Sequence, residues 1–244
     1  MILVELVPRD DKVFKAEAEN VASFSQVSGI NVPDVLRLPT RSYDAVGQLL
    51  EMGIDGVPHI RCIDNPVEKT VDIISKLVDQ GLKRVLLISG DAPTNISAKT
   101  YPVTTVEAID AVKKRHPNLK VYGALDPYRT SFKKELQYCN AKKRAGADGF
   151  FSQPFFDPDL ARIYAEQLEG SELFMGISPV TSENSLNYWK TRNNVIFPKR
   201  FKTTLVFNCE LGKEIVNIAR AHNQNVYLMP IKTPVIEYLT KLFN

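Results

Sequence analysis

The sequence has 244 residues, 44% hydrophobic and 24% charged, with 31 basic against 28 acidic side chains and a formal charge of +3. This is the usage of a globular chain long enough to bury a sizeable core, and its charge is too balanced to point to nucleic acid or an anionic membrane surface. The three cysteines, Cys62, Cys139 and Cys209, are odd in number and far apart, and no apolar run nears the ~20 residues of a membrane span, so a reducing cytoplasm is expected rather than a disulfide framework or an embedded chain.

In chain order, short apolar runs alternate with amphipathic stretches. The N-terminal run, apolar over residues 2–7, lacks the basic start and cleavage site of a signal peptide and reads as a first strand. A helix is predicted over 12–26, where Val13, Phe14, Ala18, Val21, Ala22 and Phe24 keep a helical spacing. A second strand over 30–32 stops at Pro33, and a helix over 43–52 ends near Gly53. Strand three (56–60) precedes a helix over 67–80 with Gly81 as its stop, and strand four (84–88) is apolar enough to be buried on both faces. A helix over 104–115, capped by Thr104 or Thr105, leads to strand five (121–124) and a helix over 132–144. Strand six (149–153) is followed by a helix over 157–168, opened by Asp157-Pro158. Strand seven (173–177), helices over 182–191 and 212–221, strand eight (226–229) and a helix over 235–243 complete the series. Eight strands, each followed by at least one helix, predict an α/β fold. The expectation is a single (β/α)8 TIM barrel over residues 1–244, with no internal domain boundary. No Gly-x-Gly-x-x-Gly follows a strand, which weighs against a doubly wound dinucleotide-binding sheet.

Barrels of this kind carry their chemistry at the C-terminal ends of the strands. The polar residues there are Glu5, Asn31 with Asp34, His59 with Arg61, Gly90 with Asp91, Asp126, Gln153 and Ser178. Glu5 interrupts an apolar strand. It is either a carboxylate with a raised proton affinity, suited to general-acid work, or a rim residue paired to Arg9 or Arg61. Gly90 allows close approach of a ligand to the backbone, and Asp91 can accept hydrogen bonds; the plainer reading is a tight turn. A buried Gln153 amide, donor and acceptor at once, suits the edge of a heterocycle or a satisfied core position. Phe155 and Phe156 offer faces to a ring or to the core. The other two histidines, His116 and His222, fall on helices or helix ends, so no metal site is expected, and there is neither a nucleophile elbow nor a credible Cys/His pair.

Several of these segments occur in one order that resembles the methylenetetrahydrofolate reductase family along essentially the whole chain. The segments are Val4-Glu5-Leu6-Val7-Pro8, Pro58-His59-Ile60-Arg61-Cys62, Ser89-Gly90-Asp91-Ala92-Pro93, Ala145-Gly146-Ala147-Asp148, Ser152-Gln153-Pro154-Phe155-Phe156-Asp157 and Met175-Gly176-Ile177-Ser178-Pro179-Val180. The resemblance implies that Glu5 is the general acid that protonates a folate nitrogen as the one-carbon ring opens. It implies folate contacts for Gln153 and Asp91; beside them Phe155, from the reading of the residues alone, is the candidate to stack on the folate ring. It also implies FAD contacts for His59, Gly90, Asp91 and Lys142, and NAD(P)H as reductant of a methylene-bearing tetrahydrofolate. The alternatives are a flavin-free folate enzyme and a non-catalytic folate-binding partner subunit. A homo-oligomer or a partner protein is expected; nucleic acid and membrane are not.

The resemblance is weakest around the flavin. After strand two the chain reads Val32-Pro33-Asp34-Val35 in place of the family's Thr-Tyr-Gly. Ser89 and Arg61 stand where the family has Arg and Thr, and Leu125-Asp126-Pro127 replaces a Tyr-Pro-Glu segment. These replacements predict weakened or lost FAD binding.

Overall fold

The computed structural model describes residues 1–92 and 99–244, so Pro93 of the segment after strand four lies outside the described residues. Strands β1 (Ile2–Glu5), β2 (Gly29–Val32), β3 (Gly56–Arg61), β4 (Arg84–Ile88), β5 (Lys120–Leu125), β6 (Gly149–Pro154), β7 (Glu172–Ile177) and β8 (Asn225–Leu228) are parallel and close into a barrel in chain order. Around them lie α1 (Asp11–Ala22), α2 (Ser42–Glu51), α3 (Val67–Asp79), α4 (Thr105–Arg115), α5 (Phe132–Arg144), α6 (Pro158–Gln167), α7 (Glu183–Arg192), α8 (Leu205–Ala221) and α9 (Val235–Phe243). The architecture is the (β/α)8 barrel that the alternation predicts.

The helix starts follow from local chemistry. Asp10 accepts from the backbone N–H groups of Lys12 and Val13, Thr104 and Glu107 form a reciprocal capping box, and Pro158 follows the Asp157 cap. Each such cap contributes about 1 kcal/mol. Two boundaries differ from the sequence reading by more than two residues. The first helix ends at Ala22, four residues short of the predicted end at 26, because the chain turns at Ser23. The helix predicted from residue 212 begins at Leu205, where Thr204 caps the Phe207 N–H and Asn208 ties the first turn to both backbone groups of Val180.

The barrel interior is an aromatic plug. Phe151 and Phe174 stack with centroids 4.2 Å apart, Tyr122 meets both edge-on, and Tyr227 meets Phe151 edge-on at 5.5 Å. Below the plug, at the starts of the strands, Tyr122 donates to Glu172 at 2.6 Å, Lys120 pairs with Glu172 at 2.9 Å and Arg84 pairs with Asp55. Polar groups at that end are matched to one another, which leaves the opposite end for a ligand.

One irregularity positions a predicted site residue. Phe151 pairs with Phe174 but Pro154 pairs with Gly176, so β6 holds one residue more than β7 across the same interval. This is a β-bulge, which locally re-aims side chains. Ser152 is buried and accepts from the Gly176 N–H at 2.8 Å, while Gln153 is exposed between buried Ser152 and Pro154.

Candidate active site at the barrel mouth

At the strand C-termini, four side chains from four strands converge. Glu5 ends β1, and its Oε2 accepts from the Tyr227 hydroxyl of β8. Asn31 of β2 donates from Nδ2 to His59 Nε2 of β3 at 3.2 Å. The His59 ring stands edge-on to Tyr227 with centroids 6.0 Å apart. Burial pushes the imidazole down to about 3, so His59 is neutral and its Nε2 is free to accept. Asn31 is fully buried, and among the described residues its Oδ1 has no partner.

Glu5 is half-buried, and that burial raises its carboxyl from 4.5 to about 7, while the Tyr227 hydrogen bond pulls the other way. Neither arginine considered in the sequence reading pairs with it. Arg9 is exposed, and Arg61 turns to Asp64 at 3.1 Å and to the Asp91 carbonyl at 2.5 Å. A carboxyl without a cationic partner, bonded to a neutral phenol, is a group poised to hold a proton near neutral pH.

Gln153 and Asp91 both present exposed side chains. For Gln153 this corrects the expectation of a buried amide, and the bulge is the reason. The stretch is braced from the β5 side. The Tyr128 hydroxyl donates to the Pro154 carbonyl at 2.8 Å, and the Tyr128 N–H donates to Asp126 at 2.9 Å. Buried Glu135 accepts from the Asp126 N–H at 3.0 Å and pairs with Arg129 at 2.8 Å. Asp126 itself is half-buried, and burial raises its carboxyl. Ser178 after β7 is buried, its hydroxyl unpaired among the described residues.

Three residues named from sequence, Phe155, Phe156 and Lys142, are not brought to this cluster. Phe155 is 1% exposed and packs against Tyr164 of α6, in the layer between barrel and helices, because residues past the bulge resume alternation with Phe155 outward. It has no free face for a ligand ring. Phe156 is equally buried, among Trp189, Phe197 and Phe201. Lys142 lies between α5 and the barrel wall, its ammonium on the Ala124 carbonyl and 3.9 Å above the Tyr138 ring, and burial lowers it to about 8.

The rim over β2 to β4 is an ion-paired strap that sequence reading missed. Arg41 pairs with Asp34 at 2.5 Å and with Asp64 at 2.7 Å, and Asp64 in turn holds Arg61. Gly90 has φ of +85° and lies against the Arg61 guanidinium, 3.0 Å from where a Cβ would stand. The glycine therefore accommodates Arg61. Among the described residues no cluster of three or more His, Cys, Asp or Glu side chains is placed to hold a metal, and no helix is long and apolar enough to cross a membrane. All three cysteines are buried and unpaired.

Comparison with known proteins gives this geometry a family. The model of the family described as Methylenetetrahydrofolate reductase matches residues 37–224. The chain belongs to the methylenetetrahydrofolate reductase family. It is 26% identical over 153 residues to 5,10-methylenetetrahydrofolate reductase of Buchnera aphidicola subsp. Baizongia pistaciae, covering 60% of this chain and 52% of that protein. It is 22% identical over 151 residues to the Escherichia coli K12 protein of the same name, covering 60% and 51%. The chain thus spans about half the length of the curated relatives it matches. Glu5 and Tyr227 lie outside residues 37–224. Among solved structures, oxaloacetate acetylhydrolase superposes with a TM-score of 0.62 at 11% identity, covering 98% of this chain and 78% of that one. Orotidine 5'-phosphate decarboxylase from Pyrococcus horikoshii OT3 superposes with a TM-score of 0.59 at 13% identity, covering 100% of both. At such identities these two matches establish the barrel alone.

The four residues implied as FAD contacts do not make one open face. His59 is 7% exposed and turned to Asn31, Gly90 is only half-buried but has Arg61 packed 3.0 Å from where a Cβ would stand, and Lys142 is 1% exposed in the helix layer. Only the Asp91 side chain is exposed. As arranged, these residues do not fit a flavin.

Proposed function

We propose that the chain reduces 5,10-methylenetetrahydrofolate to 5-methyltetrahydrofolate with a nicotinamide hydride donor, NADH or NADPH, and that Glu5 is the general acid. The observation that carries this reading is Glu5 itself, half-buried, bonded to a phenol rather than a cation, and holding its proton up to about 7. In this reading protonated Glu5 gives its proton to a bridging folate nitrogen as the carbon–nitrogen bond breaks. The five-membered ring opens, and the one-carbon unit becomes an iminium on the other nitrogen. Hydride from the nicotinamide adds to that carbon, leaving a methyl group and oxidised nicotinamide, and solvent reprotonates Glu5. Gln153 and Asp91 supply the polar contacts to the pterin edge, the amide offering both donor and acceptor.

Calorimetry with 5-methyltetrahydrofolate tests the substrate class. Saturable binding is expected, weakened several-fold in Gln153→Ala by the loss of about 1 kcal/mol of hydrogen bonding. No heat at millimolar ligand would sink the folate reading.

The misfit of His59, Gly90 and Lys142 supports direct transfer from nicotinamide over a resident flavin. The purified protein is expected to be colourless, with turnover that does not rise on adding FAD. A yellow protein carrying stoichiometric FAD overturns this part of the reading and leaves the folate site standing.

A further inference from the structure

The Glu5 carboxyl has two unlike oxygens. Oε2 accepts from the Tyr227 hydroxyl, while Oε1 has no hydrogen-bond partner among the described residues, and Glu5 keeps partial exposure at the barrel mouth. Tyr227 is itself fixed on several sides. Phe151 packs edge-on to its ring at 5.5 Å, His59 at 6.0 Å, and the β1–β8 ladder sets its register through Leu3. We propose that Tyr227 is a positioning residue for Glu5: its hydroxyl holds Oε2, so that Oε1 faces the open side and carries the transferable proton. This inference rests on the reading of Glu5 as the acid.

The proton balance is simple. Before transfer, the Oε1 hydroxyl of Glu5 is the donor to substrate. After transfer, both oxygens share a negative charge, and the Tyr227 O–H···Oε2 bond becomes charge-assisted and stronger. Tyr227 does not lose its own proton, because burial and the neighbouring carboxyl raise its hydroxyl well above 10. Among the described residues, the groups around this pair are His59 of β3, which is neutral, Asn31 of β2, which is uncharged, and Arg61 of β3, which is turned to Asp64 and the Asp91 carbonyl. The phenol is therefore the polar contact that favours the carboxylate.

Tyr227→Phe removes that contact, together with the one that uncharged Asn31 makes to the same hydroxyl. The test is infrared titration of the ligand-free protein, following the carboxylic carbonyl band that Glu5→Gln abolishes. The midpoint of that band is expected to move up by about one pH unit in Tyr227→Phe. Fluorotyrosine placed at position 227 keeps the ring and makes a stronger donor, and is expected to move the midpoint down; it also serves if Tyr227→Phe does not fold. A midpoint unchanged in both proteins, with only the melting temperature lowered, overturns the proposal and leaves Tyr227 as core. Because the titration needs no substrate, it stands apart from turnover. If the band shifts as expected while Glu5→Gln remains fully active, the positioning is correct and the reductase reading is what fails.

Discussion

Glu5→Gln is expected to lower turnover by about 10²–10⁴-fold, the usual cost of removing a positioned general acid, with folate affinity close to that of the unaltered protein. The same variant carries an independent signature in stability. The Glu5 carboxyl is raised from 4.5 to about 7, so the folded protein holds this proton more tightly than the unfolded chain does. A raised group of this kind contributes stability that is complete below 4.5 and lost as pH rises through about 7. The upper limit of the loss is about 3 kcal/mol at 1.36 kcal/mol per unit, less whatever the carboxylate recovers from its remaining exposure. Glutamine does not titrate. Glu5→Gln should therefore melt higher than the unaltered protein well above pH 7, and the gap should close as pH falls toward 4.5. His59 acts in the opposite direction. Its imidazole is depressed from 6.5 to about 3, so both proteins lose stability on acidification through that window, and the loss cancels in their difference. An ion-paired Glu5 gives the reverse result, a variant less stable above pH 7. Melting curves of the two proteins across pH decide between these, and the reverse result would remove Glu5 from the mechanism.

How much of this was legible in sequence depends on the range of the interactions involved. Strand and helix alternation is local, and the barrel follows from it. The start of α8 was misplaced because Leu205-Val206-Phe207 shows no helical spacing on its own; the helix is secured there by Thr204 and by Asn208 reaching back to Val180. Glu5 was legible because a carboxylate inside an apolar strand is costly without a reason. Its partner was not. Tyr227 is 222 residues away in an apolar strand where an aromatic reads as core, and only barrel closure brings it to β1. Asn31, His59 and Arg61 could be named as polar strand ends. That Asn31 and His59 face each other, while Arg61 fills the space beside Gly90, follows from register and from the salt-bridged strap. Phe155 reads from sequence as an aromatic free for a ring or for the core; the bulge in β6 that sets it outward against Tyr164 leaves no mark in the run Ser152-Gln153-Pro154-Phe155.

Gly176→Ala is expected to damage the site without altering any group that would touch folate. Gly176 lies on β7 opposite the bulge, and a Cβ built there stands 2.6 Å from the Ser152 carbonyl oxygen, 2.8 Å from that of Gln153 and 2.8 Å from the Met229 methyl. The methionine tip can rotate away, but the two carbonyls belong to the backbone of β6 and have to move with it. That movement stretches two bonds made by Gly176, its N–H to the Ser152 hydroxyl at 2.8 Å and its carbonyl to the Phe155 N–H at 2.9 Å. Overpacking a close-packed interior costs about 1–3 kcal/mol, and a clash with backbone on two sides belongs at the upper end. The displaced residues are the ones that present Gln153, so the affinity loss should equal or exceed that of Gln153→Ala, although the amide is still present. The double variant separates placement from packing. If Gly176→Ala weakens folate binding by moving Gln153, adding Gln153→Ala costs nothing further in affinity; if it merely destabilises the barrel, the two losses add. Additive losses, or a Gly176→Ala protein that binds 5-methyltetrahydrofolate as tightly as the unaltered chain, would mean that the bulge does not set the position of Gln153.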